Sequence, residues 1–399
     1  MDGVRRPFGD YGEFDLNQGA FTSLSYNTGF ATGEGTTPVG FGYGHDAGPM
    51  ALDIAVLQRL YGANTTTAAG DNTYFVPSAN AAGTAWQSIW DTGGVDTIAF
   101  EGSQDVLIDL RAATLVYGEG GGGFVSYAAG IQGGLTIANG VVIENATGGS
   151  GDDALLGNSV ANALFGNGGR DTLSGGQGED TLDGGAGADN LYGGSGGDAL
   201  IGGNGADDIH GQSGGDTLSA TSGSNTFYGG SGFDEIDGGT GVDEAHGGSG
   251  DDVIQTFGGS DLLFGGRGDD TLDGGFNNDQ LTGGLGTDVL TGGAGAGQFI
   301  FSFTVESRVG ANARDTITDF GTGDRINLSA IDADTSVADD QAFTFIAAAG
   351  FSGTQSEVRV QAISGDDVVV EVDQNADGIA DMEILVIGGS DLSENDFIL

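Results

Sequence analysis

Cysteine is absent from this 399-residue chain, so neither a disulfide nor a thiolate metal site can stabilise its fold. The chain also has no run of 18 or more apolar residues, and we therefore expect no membrane span. Arg5 and Arg6 lie near the N-terminus, but no apolar stretch follows them, so a cleaved secretory signal peptide is not predicted. Export would require a signal elsewhere in the chain.

Basic residues are equally scarce. Lys and Arg together number 10 against 58 Asp and Glu, which gives a formal net charge of −48. Phosphate recognition needs clustered Lys and Arg, so this balance argues against nucleic acid or an anionic membrane as a partner. It favours a hard cation as the ligand. Gly is abundant, at 82 residues, and apolar residues recur at a fixed spacing, which a disordered acidic chain would not show.

The spacing comes from a nine-residue repeat. Residues 148–300 divide into 17 consecutive repeats of the form G-G-x-G-x-D-x-U-x, where U is a large apolar residue, as in Gly175–Asp183. Only Ala245 departs from the apolar rule at position 8, and Asn162, Asn225 and Gly297 replace the Asp at position 6. The other 14 repeats carry the Asp residues that we predict as calcium ligands: Asp153, Asp171, Asp180, Asp189, Asp198, Asp207, Asp216, Asp234, Asp243, Asp252, Asp261, Asp270, Asp279 and Asp288.

The repeat predicts an all-β protein built around a parallel β-roll. Glycine allows the tight turn that points backbone carbonyls inward, and x-U-x forms a short strand with one buried side chain. Calcium takes six to eight oxygen ligands, so a turn supplies about half a shell and the turn stacked on it supplies the rest. Without cations the stacked carboxylates repel one another by roughly 1–3 kcal/mol per pair at about 5 Å. We therefore expect residues 148–300 to be disordered until calcium binds.

Several stretches outside the repeats resemble the RTX proteins, and more closely the C-terminal part of the serralysin-type metalloproteases. Pro49–Asn64 resembles the helix that closes the family's protease domain, and Val141–Ala146 resembles the strand that enters the roll. Trp90–Thr97 is similar to the family's entry motif, which implies that Asp91 and Asp96 bind calcium. Asp315–Phe320 and Asp324–Leu328 resemble the family's cap, which covers the last open coil.

This resemblance implies four regions. Residues 1–64 correspond to the end of a protease domain with a short helix, and residues 65–147 form a β-rich entry segment. Residues 148–300 form the roll, and residues 301–399 form the cap and the secretion signal. The final Asp396–Leu399 is similar to the uncleaved signal that the family presents to a type I secretion apparatus, although an ordinary last strand would also fit. The predicted location is extracellular.

A separate candidate calcium loop lies at Asp373–Asp381. Its oxygen ligands fall at positions 1, 3, 5 and 9 of an EF-hand-like loop, with Gly at position 6, and they are Asp373, Asn375, Asp377 and Asp381. Position 12 is Ile384, so Glu383 would have to replace the usual glutamate. The alternative is an Asx-rich turn between two strands.

Catalysis on this chain is not predicted. Its three histidines, His45, His210 and His246, do not form the zinc-binding H-E-x-x-H of the resembled proteases, so zinc is not expected. Phe21–Asn27 does resemble the family's Met-turn, with Leu24 at the Met position and Tyr26 at the Tyr position. Three explanations stay open: a partial protease whose catalytic helix is missing, a degenerate homologue, or a partner of a separately encoded catalytic domain. An extracellular adhesin or matrix protein is a further alternative.

Overall fold

The computed structural model describes the backbone at 45–46 and residues 67–81, 84–114, 123–333 and 341–399. The predicted helix at Pro49–Asn64 and the Met-turn-like segment at Phe21–Asn27 lie outside these ranges. Contacts divide the chain between Leu191 and Tyr192 into an N-terminal and a C-terminal unit. That division falls inside the repeats, and the four regions expected from the sequence stay a prediction.

Parallel pairing dominates the N-terminal unit. Its two sheets have the orders β1-β3-β7-β6-β5-β9-β11 and β2-β4-β8-β10-β12, and only the β5–β6 and β6–β7 pairs are antiparallel. The strands are β1 (His45–Asp46), β2 (Thr73–Phe75), β3 (Ala85–Ile89), β4 (Thr97–Ala99), β5 (Val106–Asp109), β6 (Val125–Ala128), β7 (Gly134–Ile137), β8 (Asn145–Thr147), β9 (Ala154–Leu156), β10 (Ala163–Gly168), β11 (Thr172–Gln177) and β12 (Thr181–Ala186).

In the C-terminal unit the repeat forms two parallel stacks. One contains the even-numbered strands from β14 to β26, and the other contains the odd-numbered strands from β15 to β27. The remaining strands are β13 (Asn190–Ser195), β14 (Ala199–Asn204), β15 (Asp208–Ser213), β16 (Thr217–Ser219), β17 (Thr226–Ser231), β18 (Glu235–Asp237), β19 (Glu244–Ser249), β20 (Val253–Gln255), β21 (Leu262–Arg267), β22 (Thr271–Asp273), β23 (Gln280–Leu285), β24 (Val289–Thr291), β25 (Gln298–Ile300), β26 (Asp315–Ile317), β27 (Arg325–Asn327), β28 (Thr344–Phe345), β29 (Glu357–Ser364), β30 (Asp367–Asp373), β31 (Met382–Val386) and β32 (Phe397–Ile398).

The core follows from the apolar residue at position 8. Alternation along a strand sends position 8 inward and positions 7 and 9 outward. Successive coils pair residue i with residue i+18, so the inward side chains stack in columns, as Leu218 does on Ile236 and Ile236 on Ile254. These side chains are 0–1% exposed, and the exceptional Ala245 is buried too. The predicted all-β parallel roll is confirmed.

One outward face of the C-terminal unit carries a ladder of rings. Position 9 of five successive coils presents Tyr192, His210, Tyr228, His246 and Phe264, whose ring centroids lie 4.6–5.0 Å apart with interplanar angles of 6–16°. His210 Nε2 lies 2.9 Å from Asp208 Oδ1, and His246 Nε2 lies 2.9 Å from Glu244 Oε1. Both histidines point outward, as their position in the repeat predicts.

An antiparallel hairpin closes the even-numbered stack. β30 pairs with β29 and β31, and β31 pairs in parallel with β26, so the hairpin covers the last coil. β32 pairs with β27 and buries Phe397. Within the described residues, helical structure is confined to a 3₁₀ turn at Glu394–Asp396, and no helix is long and apolar enough to span a bilayer.

Candidate calcium sites along the turns

The aspartates at position 6 form hydrogen-bonded ladders. Asp252 donates its backbone N–H to Oδ1 of Asp270 at 2.8 Å, and Asp270 donates to Oδ1 of Asp288 at 2.9 Å. The same bond across 18 residues recurs through each unit, and Asn162 and Asn225 take part in it. One carboxylate oxygen of each turn is therefore used by the fold.

In nine of these aspartates the other oxygen lacks a partner. All 14 predicted aspartates of the roll are at most 3% exposed. Oδ2 is buried without a hydrogen bond at Asp171, Asp216, Asp234, Asp243, Asp252, Asp261, Asp270, Asp279 and Asp288. Buried polar atoms in native proteins are almost always paired, and an unpaired buried charge is costly. A cation beside each Oδ2 would remove that cost.

A second oxygen points to the same place. A methyl group added at Gly247 would lie 2.4 Å from Oδ2 of Asp252 and 2.8 Å from the carbonyl oxygen of Gly265, one coil further on. The space beside this glycine is therefore lined by a carboxylate and a carbonyl, which are the oxygen types that calcium prefers. The lack of a side chain at position 1 keeps the space open. The residues present thus fit the predicted cation.

Burial also changes the acidity of these groups. The pKa of Asp270 is raised to about 8, mainly by burial and in part by the carboxylates of Asp288 and Asp252. Burial is also the main reason that the pKa rises to about 7 at Asp171 and Asp279 and to about 6 at Asp216, Asp243, Asp252 and Asp288. Without a cation the turns hold protons that isolated aspartates would have released.

A family model described as the C-terminal domain of peptidase M10 serralysins matches residues 52–399. This chain belongs to the serralysin C-terminal family. The family predicted from the sequence is thereby confirmed. The matching region is the C-terminal, non-catalytic part of those proteases. A β-roll of this family, with its row of buried carboxylates, indicates a calcium-binding module.

Individual relatives match shorter stretches. Serralysin C of Dickeya chrysanthemi is 40% identical over 157 residues, which is 36% of this chain and 31% of the relative. Metallopeptidase AprA of Pseudomonas marginalis is 40% identical over 125 residues, 29% of this chain and 24% of the relative. Serralysin of Proteus mirabilis is 38% identical over 159 residues, 37% and 29% of the two chains. The matches thus span about a quarter to a third of the relatives' length.

One solved structure also overlaps the chain, the AlgE6R3 subunit of the Azotobacter vinelandii mannuronan C5-epimerase. The overlap covers 42% of this chain and 78% of that subunit, at 27% identity and a TM-score of 0.24. At that score the likeness carries no argument.

In this serralysin C-terminal chain, Asp91 and Asp96 lie close together at the entry to the roll. Asp96 is fully buried, and its Oδ1 accepts the Asn72 N–H at 2.9 Å while its Oδ2 has no partner. Asp91 accepts the Gly93 N–H at 2.9 Å and the Tyr74 hydroxyl. Burial raises the pKa of Asp96, and the Asp91 carboxylate adds to that rise. Both positions suit a cation, and their role as ligands stays a prediction.

Glu144, Asp315 and Asp324 were missed by the sequence reasoning, although they belong to the same network. The Glu144 carboxylate accepts the Asp96 N–H at 2.8 Å. Asp315 Oδ1 accepts the Asp288 N–H at 2.8 Å, so that ladder continues into the cap. In the other row Gly297 has no side-chain oxygen, but its own N–H donates to Asp324 Oδ1 at 2.7 Å.

Asp315 also resembles the roll aspartates in its environment. Its Oδ2 is buried without a partner, and burial raises its pKa to about 8. A signal for both cap aspartates was present, because Asp315-Thr316-Ile317 and Asp324-Arg325-Ile326 repeat the D-x-U triplet of positions 6–8.

The candidate loop at Asp373–Asp381 connects β30 to β31. The buried Asp373 accepts N–H groups from Asp377 at 3.2 Å and Gly378 at 2.9 Å, and Asp381 Oδ2 accepts the Gln374 N–H at 2.9 Å. The Asn375 amide donates to Asp381 Oδ1 at 3.1 Å. These contacts draw the four predicted ligands together, as either the calcium loop or the Asx-rich turn would.

Glu383 is engaged elsewhere. Its Oε2 accepts bonds from Arg314 and from the Gly310 N–H, both at 3.0 Å. Its predicted place in the loop, and the site itself, stay a prediction. In the described ranges no group of three or more His, Cys, Asp or Glu side chains could hold a metal ion. Such a group would consist of side chains alone. Each turn site instead combines one carboxylate with backbone carbonyls.

Proposed function

We propose that this chain is an extracellular calcium-binding β-roll module that folds when calcium binds, and that it carries no catalytic site of its own. The observation behind the proposal is the row of buried, unpartnered Asp Oδ2 atoms, all but that of Asp261 in a turn that begins with glycine. Calcium supplies the positive charge that these oxygens lack. The chain's own residues hold the turns in place through the aspartate ladder and the column of position-8 side chains.

Calcium concentration then decides the folded state. A domain has a net stability of about 5–15 kcal/mol, and repulsion of roughly 1–3 kcal/mol per neighbouring carboxylate pair, repeated along both rows, is of similar size. A ligand that binds only the folded chain stabilises it in proportion to the logarithm of its concentration. A chain that is unfolded at low calcium can thread an export channel and fold outside the cell.

Export through a type I apparatus is the second part of the proposal. It rests on the similarity of Asp396–Leu399 to the family's C-terminal signal and on relatives that are named serralysins. In the folded chain Phe397 is buried and β32 is paired, so the tail would be presented to the apparatus before folding.

The test is circular dichroism and calorimetry of the full chain. In chelator we expect weak β signal, and in millimolar calcium we expect a cooperative gain of β structure with the binding of several ions. Magnesium at equal concentration is the control, because its demand for octahedral geometry does not suit a cage of carbonyls. An unchanged spectrum between chelator and calcium would rule out the coupling.

A second candidate function has its own support. The relatives that match are metalloproteases, and the matches cover only 24–31% of their length. This chain could therefore serve as the C-terminal part of a zinc metalloprotease. Casein cleavage by the purified chain with added zinc should be absent under both candidates, because its residues form no H-E-x-x-H. The genomic sequence upstream of Met1 distinguishes them: an in-frame H-E-x-x-H there would favour the second candidate.

A further inference from the structure

The two rows of turns in the C-terminal unit differ in sequence. We call regular edge the turns that begin at Gly193, Gly211, Gly229, Gly247, Gly265 and Gly283, where Gly occupies positions 1 and 4 and Asp position 6 throughout. In the other row the first turn, at Gly202, keeps the same pattern, and we call irregular edge the turns that follow it, which begin at Ala220, Gly238, Thr256, Gly274 and Gly292. Four of these five turns depart from that pattern: Ala220 with Asn225, Thr256 with Phe257, Asn277, and Gly297 in the place of the Asp.

The backbone differs as well. Strands that lead into the regular edge run for six residues, as in β17, whereas those that lead into the irregular edge run for three, as in β20. Past those three residues only isolated bridges join the coils, such as Gly258 to Phe276. At position 2, φ is 107–119° for the five glycines of the regular edge and 78° for its Gln212, whereas it is 76–79° for the irregular-edge glycines Gly239, Gly275 and Gly293. The irregular edge is thus a different turn.

This difference changes what lies beside the aspartates. On the regular edge, a methyl group at position 1 of five consecutive turns would meet Asp Oδ2 at 2.4–2.5 Å and the next coil's carbonyl oxygen at 2.6–2.9 Å. At Gly238 on the irregular edge, the nearest atoms are Asp243 Oδ2 at 3.0 Å and the Thr256 methyl carbon at 3.1 Å. An apolar group stands where the regular edge has an oxygen.

Neutral side chains also form hydrogen bonds with oxygen atoms that a cation would otherwise bind. The buried Thr256 hydroxyl donates to the carbonyl of Gly274 at 3.2 Å. The Asn225 amide donates to Oδ1 of Asp243 at 3.0 Å, and it contributes no negative charge to the row. Asp243 keeps an unpartnered Oδ2, so a cation can still bind there, but with fewer ligands around it.

From these observations we infer that the two edges form two classes of calcium site, a tight row on the regular edge and a weaker row on the irregular edge, with Thr256 as the residue that closes the Gly238 site. The inference rests on the proposed calcium-binding function. Calcium affinity depends on the number and charge of its oxygen ligands, and both fall on the irregular edge.

Calorimetric calcium titration of the full chain tests this with a reciprocal pair of variants. Wild type should titrate in two classes. Thr256→Gly should move one site from the weak class toward the tight class, by about tenfold in affinity. Gly265→Thr places a side chain against Asp270 Oδ2 and should remove a site from the tight class. Gly350→Thr is the control, because Gly350 is exposed with no atom close to its Cβ position, and the substitution should shift neither class.

Should Gly265→Thr fail to fold, Asp270→Asn serves in its place, since it keeps the size of the side chain and removes one charged ligand. Anomalous scattering from crystals grown at limiting calcium gives the direct readout. Peaks should fill the regular edge first and be weakest between Gly238 and Thr256. Equal occupancy of both edges, with no shift in Thr256→Gly, would overturn the inference. Absence of calcium on both edges would instead overturn the proposed function.

Discussion

The roll and the capping hairpin solve the same problem of stability by different means. Fourteen of the 17 nine-residue repeats bury one apolar side chain and one carboxylate, so the apolar gain is set against a charge. In β29 to β31, Val358, Val370, Val372 and Ile384 are fully buried. Two ion pairs lie there as well, with Arg359 Nε 2.6 Å from Glu371 Oε2 and Arg314 Nη1 3.0 Å from Glu383 Oε2. The comparison teaches that a fold can be rich in strands and still depend on an ion, whereas a small antiparallel cap depends on ordinary packing.

The largest expected effect is a regional response to chelation. When calcium is removed, amide protons in the repeats of residues 192–300 should lose their protection from hydrogen exchange. Those in β29 to β31 should lose less, because buried aliphatic side chains and ion pairs hold these strands and only the loop at Asp373–Asp381 is a predicted calcium site. Mass spectrometry of exchanged peptides measures both at once. Equal loss of protection in the two regions would contradict the distinction between an ion-dependent roll and a cap that is stabilised by packing.

A smaller effect is expected from pH in the absence of calcium. The pKa of Asp270 and Asp315 is raised to about 8 and that of Asp171 and Asp279 to about 7, with burial as the main cause. A raised pKa stabilises the folded form fully below the ordinary value near 4, and this stabilisation is lost as pH rises through the folded value. Metal-free protein should therefore show more β signal near pH 4.5 than near pH 8.5.

Chelating-resin-treated buffer and circular dichroism suffice for that measurement. With saturating calcium the order should invert, since protons compete with calcium for the carboxylates. A metal-free chain that gains structure as pH rises would contradict the assignment of burial as the cause.

The smallest effect concerns ion pairs in the two regions. Arg359→Ala removes a half-buried pair with Glu371 and a guanidinium that lies 4.1 Å from the centre of the Phe351 ring, and should cost about 1–2 kcal/mol. Arg170→Ala in the roll removes an exposed pair with Asp152 at 3.7 Å and should cost less than about 0.5 kcal/mol. Thermal unfolding in saturating calcium measures both. A larger loss of stability in Arg170→Ala than in Arg359→Ala would mean that surface charge pairs stabilise the roll.

Much of this structure was predictable, because two residues of each repeat decide it. Asp at position 6 and Leu at position 8, as in Asp180 and Leu182, predict the turn, the inward column and the ladder. Asp315 was missed because its link to Asp288 spans 27 residues, which departs from the 18-residue spacing of the coils. The effect of Thr256 was also beyond the sequence, since it depends on which atoms of neighbouring coils meet at Gly238. Position in the repeat gives the neighbours of a residue, but only the coordinates give the conformation of its turn.

The pairing of residue i with residue i+18 limits how a chain of this kind can change in length. Inserting or deleting 18 residues adds or removes one whole coil and leaves every later turn in its own row. A change of nine would move all later turns to the opposite row, so Thr256 and Phe257 would stack among turns of the other type. A change of a single residue would send apolar side chains to solvent from that point on. The gene for such a chain is therefore expected to gain or lose 54 nucleotides at a time, because 54 nucleotides encode the 18 residues of one coil.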